Sequence, residues 1–448
     1  MEKFGPVRVG LLGVGTVGTG TLDVLTQSGA EITRRAGRRI EITQACARNQ
    51  ERAMGRLAGR AEYVADPMAI VMNPEIDIIV ELVGGEQQAL ELVMAAIDQG
   101  KHVVTANKAL LALHGNEIFA AASAKGVMVA FEAAVAGGIP IIKALREGLS
   151  ANRIESVAGI INGTTNYILS EMRDHGSSFA DVLRRAQELG FAEADPTFDI
   201  EGVDAAHKLA LIAAIAFGVP VQFDRCHTEG INGLDGQDIE FAEKLGYRIK
   251  LLAMARSRSA ATDSAELKPG IELRVHPTLV PARRLLANVE GPMNAVWVRG
   301  DAVGETLYYG QGAGAMPTAS AVVADLVDVA RTLTADPDHR VPHLAFQADS
   351  LADSPILPMD ETETAYYLRL AVTDEPGVLA DITRFLADAG ISLESVLQPA
   401  PDEQSGNTTI ILLTHRTIER RMNEAIDRIQ ALNTVTGRIV RIRLEDLT

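Results

Sequence analysis

Lys208 occupies a position from which a lysine can transfer a proton. It follows an acid-rich loop and precedes a strongly apolar run, Leu209–Ala216, that predicts a buried helix. Asp204 lies four residues earlier, so the two side chains share one helix face. Burial beside carboxylates makes the protonation of a lysine tunable, and such a lysine can act as a general acid toward a carbonyl group. The same spacing also fits an ordinary salt bridge on a solvated helix edge, and both interpretations stay open.

A glycine-rich turn joins the first predicted strand, Val7–Leu12, to the helix that follows it. The turn has the pattern GxGxxG, which permits a tight bend and lets backbone N–H groups approach a pyrophosphate at the helix N-terminus. A plain tight turn is the alternative, but the strand before and the helix after it favour dinucleotide binding. The cofactor-binding candidates of this turn are Gly13, Gly15, Thr16, Val17 and Gly18.

The second predicted strand, Ile40–Ala47, ends without the acidic residue that usually binds the ribose 2′-hydroxyl of NAD. Arg48 follows it instead. A guanidinium group at this place can bind the 2′-phosphate of NADP. The sequence therefore favours NADP(H), with NAD(H) as the second option, against the alternative of an exposed loop arginine.

A second lysine, Lys108, comes just after the predicted strand His102–Thr105. In open α/β sheets, ligands bind at the carboxyl ends of the strands. Lys108 is thus a candidate to lie beside the nicotinamide or to donate a hydrogen bond to a substrate carbonyl oxygen. A surface lysine next to a turn is the alternative.

The predicted elements divide the chain into three parts. Strands alternate with helices over residues 1–130, which predicts an α/β Rossmann-like nucleotide-binding domain that a helix at about 315–335 completes. Residues 131–314 are assigned to an α+β catalytic and dimerisation domain. A proline-bearing linker at 335–364 leads to residues 365–448, whose βαββαβ order predicts a ferredoxin-like domain.

Composition excludes several classes of protein. The net charge of −17 argues against a nucleic-acid-binding surface, which needs a concentrated basic face. The two cysteines, Cys46 and Cys226, stand in no CxxC pair, so neither a disulfide framework nor a zinc site is expected. No signal peptide and no apolar run of membrane-spanning length is found, which predicts a cytoplasmic protein without a membrane partner.

Several motifs occur in the order of one family, and through them the chain resembles the homoserine dehydrogenases. These enzymes interconvert L-aspartate 4-semialdehyde and L-homoserine. The resemblance spans nearly all of the first 330 residues, and its most specific parts are the NGTTNY and AEADPxxDxxGxDxxxK segments. The matching segments are GxGxxG, TANKAL at Thr105–Leu110, FEAAVAGGIPII at Phe131–Ile142, GIINGTTNYIL at Gly159–Leu169, the acidic segment at Leu189–Leu211 and YGQGAGAMPTASAVVADL at Tyr309–Leu326.

The resemblance implies roles for individual residues. Lys208 is implied as the catalytic acid or base with Lys108 as its partner, while sequence leaves open which lysine transfers the proton. Gly190 and Gly312 are implied to approach the bound cofactor or substrate. The residues implied to bind the substrate or to orient Lys208 are Glu193, Asp199, Asp204, Asn162, Gly163 and Thr164.

The same resemblance implies a monovalent cation, Na⁺, at the segment Phe131–Pro140. Its oxygen ligands are implied to come from the side chain of Glu132 and from backbone carbonyl groups. Backbone ligation makes side-chain identity uninformative, so residue types alone do not indicate this site. The implied carbonyl ligands are those of Val135, Gly137 and Ile139.

The last segment resembles an ACT domain through Asp374–Leu379 and Gly390–Ser392. ACT domains commonly pair and bind small amino acids, so threonine is the implied effector and a homodimer or homotetramer is expected. Leu393-Glu394 departs from the polar residues common after that glycine, which leaves the identity of the ligand open. A related NADP-dependent aldehyde reductase and a non-catalytic amino-acid-binding regulator are the rival hypotheses, and the lysine pair argues against the second.

Overall fold

The structure is a computed structural model that describes residues 5–258, 268–400 and 407–447. The α-helices are α1 Thr16–Gln27, α2 Gly29–Ala36, α3 Gln50–Leu57, α4 Pro67–Met72, α5 Gln87–Asp98, α6 Lys108–Lys125, α7 Ile141–Lys143, α8 Gly163–His175, α9 Phe179–Glu188, α10 Thr197–Ile200, α11 Val203–Phe217, α12 Gly236–Lys244, α13 Ala315–Thr332, α14 Val378–Asp388 and α15 Glu419–Gln430. The strands are β1 Val7–Leu12, β2 Ile40–Cys46, β3 Glu62–Tyr63, β4 Ile78–Glu81, β5 His102–Thr105, β6 Val129–Ala130, β7 Ile154–Ile160, β8 His227–Thr228, β9 Tyr247–Arg258, β10 Gly270–Pro281, β11 Met293–Gly300, β12 Gly304–Gln311, β13 Glu363–Thr373, β14 Leu393–Leu397, β15 Asn407–Thr414, β16 Thr417–Ile418 and β17 Val440–Leu444.

The N-terminal sheet is parallel, with strand order β3-β2-β1-β4-β5-β6. The chain reverses its direction of winding between β1 and β4, which is where doubly wound sheets bind dinucleotides. Helix α13 packs against α1 although about 300 residues separate them in the chain. A Cβ on Gly20 would lie 2.7 Å from the backbone oxygen of Ala315, so this glycine permits the close approach of the two helices. The Rossmann-like prediction is confirmed.

A long mixed sheet runs through the rest of the chain, in the order β12-β11-β7-β9-β10-β17-β13-β15-β14. Its first five strands, β12, β11, β7, β9 and β10, belong to the catalytic part and pair in antiparallel fashion. Helices α8 and α11 pack on these strands. Its last four strands, with α14 and α15, form the predicted ferredoxin-like βαββαβ unit. Because β10 pairs with β17, a single sheet joins the two parts.

The segment predicted as a linker is packed against the catalytic part. The side chain of Phe346 lies against Gly218 at the end of α11. The N–H of Ala352 donates to the Gly218 carbonyl at 2.7 Å, and Ile356 forms a bridge with Ile271 of β10. The terminal domain is therefore docked rather than tethered. Throughout the described ranges, no helix combines the length and hydropathy needed to cross a membrane.

Candidate active site

Two lysines meet on one buried carboxylate. Lys208 Nζ donates to Asp204 Oδ2 at 2.6 Å and to the carbonyl oxygen of Ile161 at 2.7 Å. Lys108 Nζ lies 3.1 Å from Asp204 Oδ1, so the carboxylate bridges the two ammonium groups. The side chain of Lys208 is 12% exposed, which rules out the solvated salt bridge that the spacing also allowed. Lys108 is 31% exposed and forms the open side of the cluster.

Helix α11 carries Asp204 and Lys208 on one face. Gly202 precedes it with φ +82°, a left-handed conformation that favours glycine and turns the chain into the helix. The apolar residues that follow are buried, so the helix is fixed and its first two turns hold the charged pair. The shared face that the four-residue spacing predicts is therefore present.

Lys108 is the first residue of α6, directly after the carboxyl end of β5. Asn107 caps this helix, and its Nδ2 donates to the Gly85 carbonyl at 2.7 Å. Thr105 Oγ1 donates to the buried Glu81 at the end of β4 at 2.6 Å. Since β5 pairs with β4 and β4 pairs with β1, all in parallel, Lys108 lies at the same sheet edge as the glycine turn.

Charge and burial oppose each other in this cluster. Burial acts to raise the pKa of Asp204, but Lys208 and Lys108 outweigh it and lower this pKa to about 2. Burial lowers the pKa of Lys208, an effect that Asp204 counteracts and Lys108 reinforces. Asp204 is thus a permanent anion, and Lys208 is an ammonium group that loses its proton more readily than an ordinary lysine.

Asn162 connects a second carboxylate to the cluster. Its Nδ2 donates to Asp199 Oδ1 at 2.7 Å and to Asp204 Oδ2 at 2.8 Å. Burial raises the pKa of Asp199, while the hydrogen bond from Asn162 lowers it. The Oδ1 of Asn162 caps α8 by accepting the Thr165 N–H at 2.8 Å. Asn162 therefore fixes the distance between the two acids from a rigid helix end.

Gly163 and Thr164 support the cluster from beside it. A Cβ on Gly163 would lie 2.7 Å from the carbonyl oxygen of Pro292, so only glycine fits there without a shift. Thr164 Oγ1 donates to the carbonyl of Phe191 at 2.7 Å and holds the start of the acidic loop against α8. Both residues directly follow Asn162, whose side chain binds Asp204, and they open the helix that Asn162 caps.

The loop between α9 and α10 stays apart from the lysine pair. Glu193 is exposed, and its described hydrogen bond is made by its backbone carbonyl, which accepts from Gln187. Gly190 has φ +77° and open space around its Cβ position. The structure therefore does not bring Glu193 or Gly190 into contact with Lys208.

His207 is a residue that the sequence did not single out. Its ring packs edge-on against Phe198 and Phe223, at centroid distances of 5.3 and 4.2 Å. Burial, followed by the charge of Lys108, lowers its pKa to about 4. Lys108 Nζ in turn lies 5.7 Å from the Phe198 ring centroid. A neutral histidine and two phenylalanines thus form an apolar wall beside the lysines, which no charge pattern would indicate.

The glycine turn has the shape that a pyrophosphate requires. Gly13 has φ +108°, and a Cβ on it would lie 2.4 Å from the backbone oxygen of Leu82. A Cβ on Gly18 would lie 2.1 Å from the Gly13 oxygen, whereas nothing lies within 4 Å of the Gly15 position. Gly15 is the N-cap of α1, and no side chain caps that helix end. Thr16 and Val17 open the helix, with Thr16 exposed.

Arg48 follows the carboxyl end of β2, which is the strand next to β1. Its side chain is exposed. Asn49 beside it caps α3 by accepting the Arg52 N–H at 2.9 Å, which fixes the backbone at this point. The guanidinium group is therefore available at the edge where the adenosine half of a dinucleotide lies in this fold.

The segment implied to bind a cation folds around Glu132. Both oxygens of this buried carboxylate accept backbone N–H groups, from Ile142 and Lys143, at 2.9 Å each. Asp325 of α13 accepts the Glu132 N–H at 2.8 Å, and burial together with Asp325 raises the pKa of Glu132 to about 7. Two buried carboxylates thus lie close together, an arrangement that a hard cation would stabilise.

The backbone of this segment is tightly turned. Val135 and Ile139 are buried. Gly137 has φ +50°, and a Cβ on it would lie 2.4 Å from the oxygen of Gly312. Gly312 in turn leaves no room for a side chain, because its Cβ would meet Asn294. Gly312 therefore lies against the proposed cation segment. In the described ranges no three His, Cys, Asp or Glu side chains form a metal-binding group, so a cation here would depend on carbonyl oxygens besides Glu132.

Comparison with known proteins agrees with this geometry. The homoserine dehydrogenase NAD-binding domain matches residues 13–132, the homoserine dehydrogenase family model matches residues 140–327, and the ACT domain matches residues 366–434. The homoserine dehydrogenase of Pseudomonas aeruginosa is 60% identical over 442 residues, which is 99% of either chain.

Solved structures show the same fold. A homoserine dehydrogenase from Thiobacillus denitrificans superimposes with a TM-score of 0.93 at 64% identity and covers 99% of both chains. A hyperthermophilic archaeal homoserine dehydrogenase mutant in complex with NADPH has a TM-score of 0.60 at 25% identity and covers 73% of this chain and 98% of its own. From the 60% identity along nearly its whole length, the chain belongs to the homoserine dehydrogenase family.

Proposed function

We propose that the chain interconverts L-aspartate 4-semialdehyde and L-homoserine with NADP(H), and that Lys208 transfers the proton. The observation that carries this proposal is the buried cluster in which Asp204 bridges Lys208 and Lys108. The nucleotide-binding domain lies beside this cluster, because Lys108 sits at the carboxyl edge of the parallel sheet. When bound, the nucleotide supplies the hydride in one direction and accepts it in the other.

Lys208 is suited to the proton transfer because its pKa is lowered and its position is fixed. Two of the three hydrogens on Nζ are directed at Asp204 and at the Ile161 carbonyl. The third is left for the substrate oxygen, which takes the proton as the carbonyl becomes a hydroxyl group. Lys108, more exposed, places a second positive charge where negative charge develops on that oxygen.

The acidic residues are suited to the substrate ammonium group. Asp199 keeps one oxygen on Asn162, and its carboxylate lies beside the cluster. Glu193 is assigned to the same ammonium group from the exposed loop, and this requires the loop to move toward the cluster when substrate binds. Asn162, Gly163 and Thr164 line the cleft in this proposal. Gly190, and Gly312 beside the cation segment, are proposed to border the bound ligands.

The preference for NADP(H) depends on Arg48, and the archaeal relative solved with NADPH supports it. The Arg48→Ala variant should raise KM for NADPH by about tenfold and leave KM for NADH unchanged, because only NADPH carries the 2′-phosphate. Steady-state kinetics with both cofactors measure this. The neighbouring exposed Arg52→Ala is the matched control, and equal changes for both cofactors in the Arg48 variant would exclude the assignment.

The terminal domain is proposed to sense threonine, and the chain to assemble as a homodimer or homotetramer. Support comes from the ACT match at residues 366–434, since ACT domains commonly pair and bind small amino acids. We also propose the division into domains that the sequence predicts. The nucleotide-binding domain comprises 1–130 with 315–335, the catalytic and dimerisation domain 131–314, the linker 335–364 and the terminal domain 365–448. Sedimentation analysis with and without threonine tests the assembly.

One assay tests the main proposal. NADPH oxidation is followed with L-aspartate 4-semialdehyde at increasing threonine concentration. We expect turnover without threonine and inhibition with it. Absence of turnover would refute the activity, whereas turnover that threonine does not change would refute only the effector. A panel of other small aldehydes separates this activity from that of a related aldehyde reductase.

A further inference from the structure

Glu229 lies where the catalytic part meets the terminal domain. Its carboxylate accepts two hydrogen bonds from Arg443 of β17, at 2.8 and 2.9 Å. The guanidinium group of Arg443 is buried and also binds Glu419, the first residue of α15, at 2.8 and 2.5 Å. Arg443 therefore ties the two elements of the terminal domain to one loop of the catalytic part.

The residues after Glu229 touch the backbone that carries the active site. The N–H of Ile231 donates to the Ile200 carbonyl at 2.8 Å. A Cβ on Gly230 would lie 2.2 Å from that same oxygen and 2.5 Å from the Glu201 Cα, so the two chain segments are in direct backbone contact. The loop that Arg443 holds is thus also a support for α10.

This support reaches both carboxylates of the cluster. Ile200 ends α10, which presents Asp199 to Asn162. Gly202 directly precedes α11, and a Cβ on it would lie 3.4 Å from the Glu229 carbonyl oxygen. A shift of residues 228–231 would therefore change the position of Asp199 and the start of the helix that carries Lys208.

We propose that Glu229 is a positioning residue for the reaction. Its carboxylate, paired with Arg443, couples the position of the terminal domain to the position of Lys208. Glu229 does not touch the substrate, and it acts through the backbone of residues 200–202. The proposal deepens the proposed function, because it assumes that Lys208 carries out the proton transfer.

A bidentate charge pair suits this task better than apolar packing would. Two parallel hydrogen bonds fix orientation as well as distance. Burial acts to raise the pKa of Glu229, but hydrogen bonds from His227 and Arg443 outweigh it and hold this pKa far below its usual range. Beside the pair, an open groove of about 1390 Å³ is lined by Asn232 of the catalytic part and Gln430 of α15. The charge pair therefore borders an open groove between the catalytic part and α15, next to the strand pairing of β10 with β17.

The chain offers a matched control for this pair. Arg369 of β13 binds Asp238 of α12 through two hydrogen bonds, at 2.6 and 3.0 Å, across the same boundary. Within the described residues, α12 makes no hydrogen bond to residues 197–208. Loss of the Arg369 pair should therefore loosen the domain contact without reaching the lysines.

The test compares Glu229→Gln with Arg369→Gln in the full chain. Glu229→Gln should lower kcat for NADPH-dependent reduction by about tenfold. It should leave KM for NADPH unchanged, because the glycine turn lies in another domain. Backbone amide exchange in residues 197–208, measured without substrate, should become faster. Arg369→Gln should leave kcat and the amide exchange of residues 197–208 unchanged, even if it lowers Tm as much as Glu229→Gln does.

The outcomes separate the two proposals. An unchanged kcat in Glu229→Gln, or an equal loss in Arg369→Gln, would overturn the positioning role. If Glu229→Gln does not fold, Arg443→Lys keeps the charge while losing the bidentate geometry, and the same results are expected of it. A wild-type chain that reduces no aspartate semialdehyde would refute the proposed function, while unchanged amide exchange in the variant would refute the linkage by itself.

Discussion

Asp204 and Glu132 are both buried carboxylates, yet their pKa values move in opposite directions. Asp204 has Lys208 and Lys108 within hydrogen-bonding range, and these charges outweigh burial and lower its pKa to about 2. Glu132 has backbone N–H groups and the carboxylate of Asp325 as neighbours, so burial prevails and its pKa is raised to about 7.

The difference shows that burial does not decide whether a carboxylate keeps its charge. At the first site, the lysine side chains themselves neutralise the buried charge of Asp204. The second is only partly compensated, since the effect of Lys143 on Glu132 is smaller than those of burial and Asp325. The first arrangement suits proton transfer, and the second suits the binding of a cation from solution.

Among the changes that test this contrast, removal of Lys208 should cause the largest loss of kcat. Lys208→Ala takes away the group to which we assign the proton transfer, which typically costs about 10²–10⁴ in kcat. NADPH binding, measured by fluorescence titration, should be nearly unchanged because the glycine turn and α11 belong to different domains. Lys244→Ala, which removes an exposed i,i+4 pair with Glu240, is the control and should be silent. A near-normal kcat in the Lys208 variant would assign the proton to another group.

Asp204→Asn should have the next largest effect, because it removes the anion that the two lysines of the first site share. Both lysines would lose their shared anion, and misplacement of the two groups should lower kcat by up to about a hundredfold. Asp204 raises the pKa of Lys208 against burial and Lys108, and Asp199 contributes in the same sense as Asp204. Its loss should lower that pKa further.

The sign of the pH effect follows from the direction of the reaction. Aldehyde reduction needs protonated Lys208, so activity declines as pH rises through its pKa. In Asp204→Asn this alkaline limb should move to lower pH. The measurement is kcat against pH for both proteins, and a limb that stays in place would separate Lys208 from the observed titration.

Parts of this cluster were predictable from local spacing, and others were not. The i,i+4 relation of Asp204 and Lys208 follows from helix geometry, and so does the position of Lys108 after a strand. The contact of Lys108 with Asp204 joins residues 96 positions apart and depends on how α6 packs on α11. No period in the sequence encodes such a contact.

The same limit applies to the fold. The alternation of strands and helices predicted the parallel sheet, and the βαββαβ order predicted the terminal unit. The four long strands β9 to β12 escaped prediction. Residues Ile271 to His276 of β10 do alternate apolar and polar side chains, which is a strand signal in the sequence. That both faces of β10 are buried could not be seen from this alternation, which is typical of a half-buried strand. The pairing of β10 with β17, which fuses the domains into one sheet, is a consequence of docking and has no local signal.

The cation site should give the smallest effect. If Na⁺ binds beside Glu132 with carbonyl groups of Val135, Gly137 and Ile139, it stabilises the folded state by mass action. NaCl should then raise Tm by about 2–4 °C over choline chloride at equal ionic strength. Glu132→Gln should abolish this difference, because a neutral amide leaves the cation without its charged ligand. Glu147→Gln, an exposed acid on the following turn paired with Arg146, should retain it. Equal Tm values in the two salts for the wild-type chain would show that groups of the protein itself compensate the charge of the buried pair Glu132 and Asp325. The two sites would then differ only in the number of lysines beside the carboxylate.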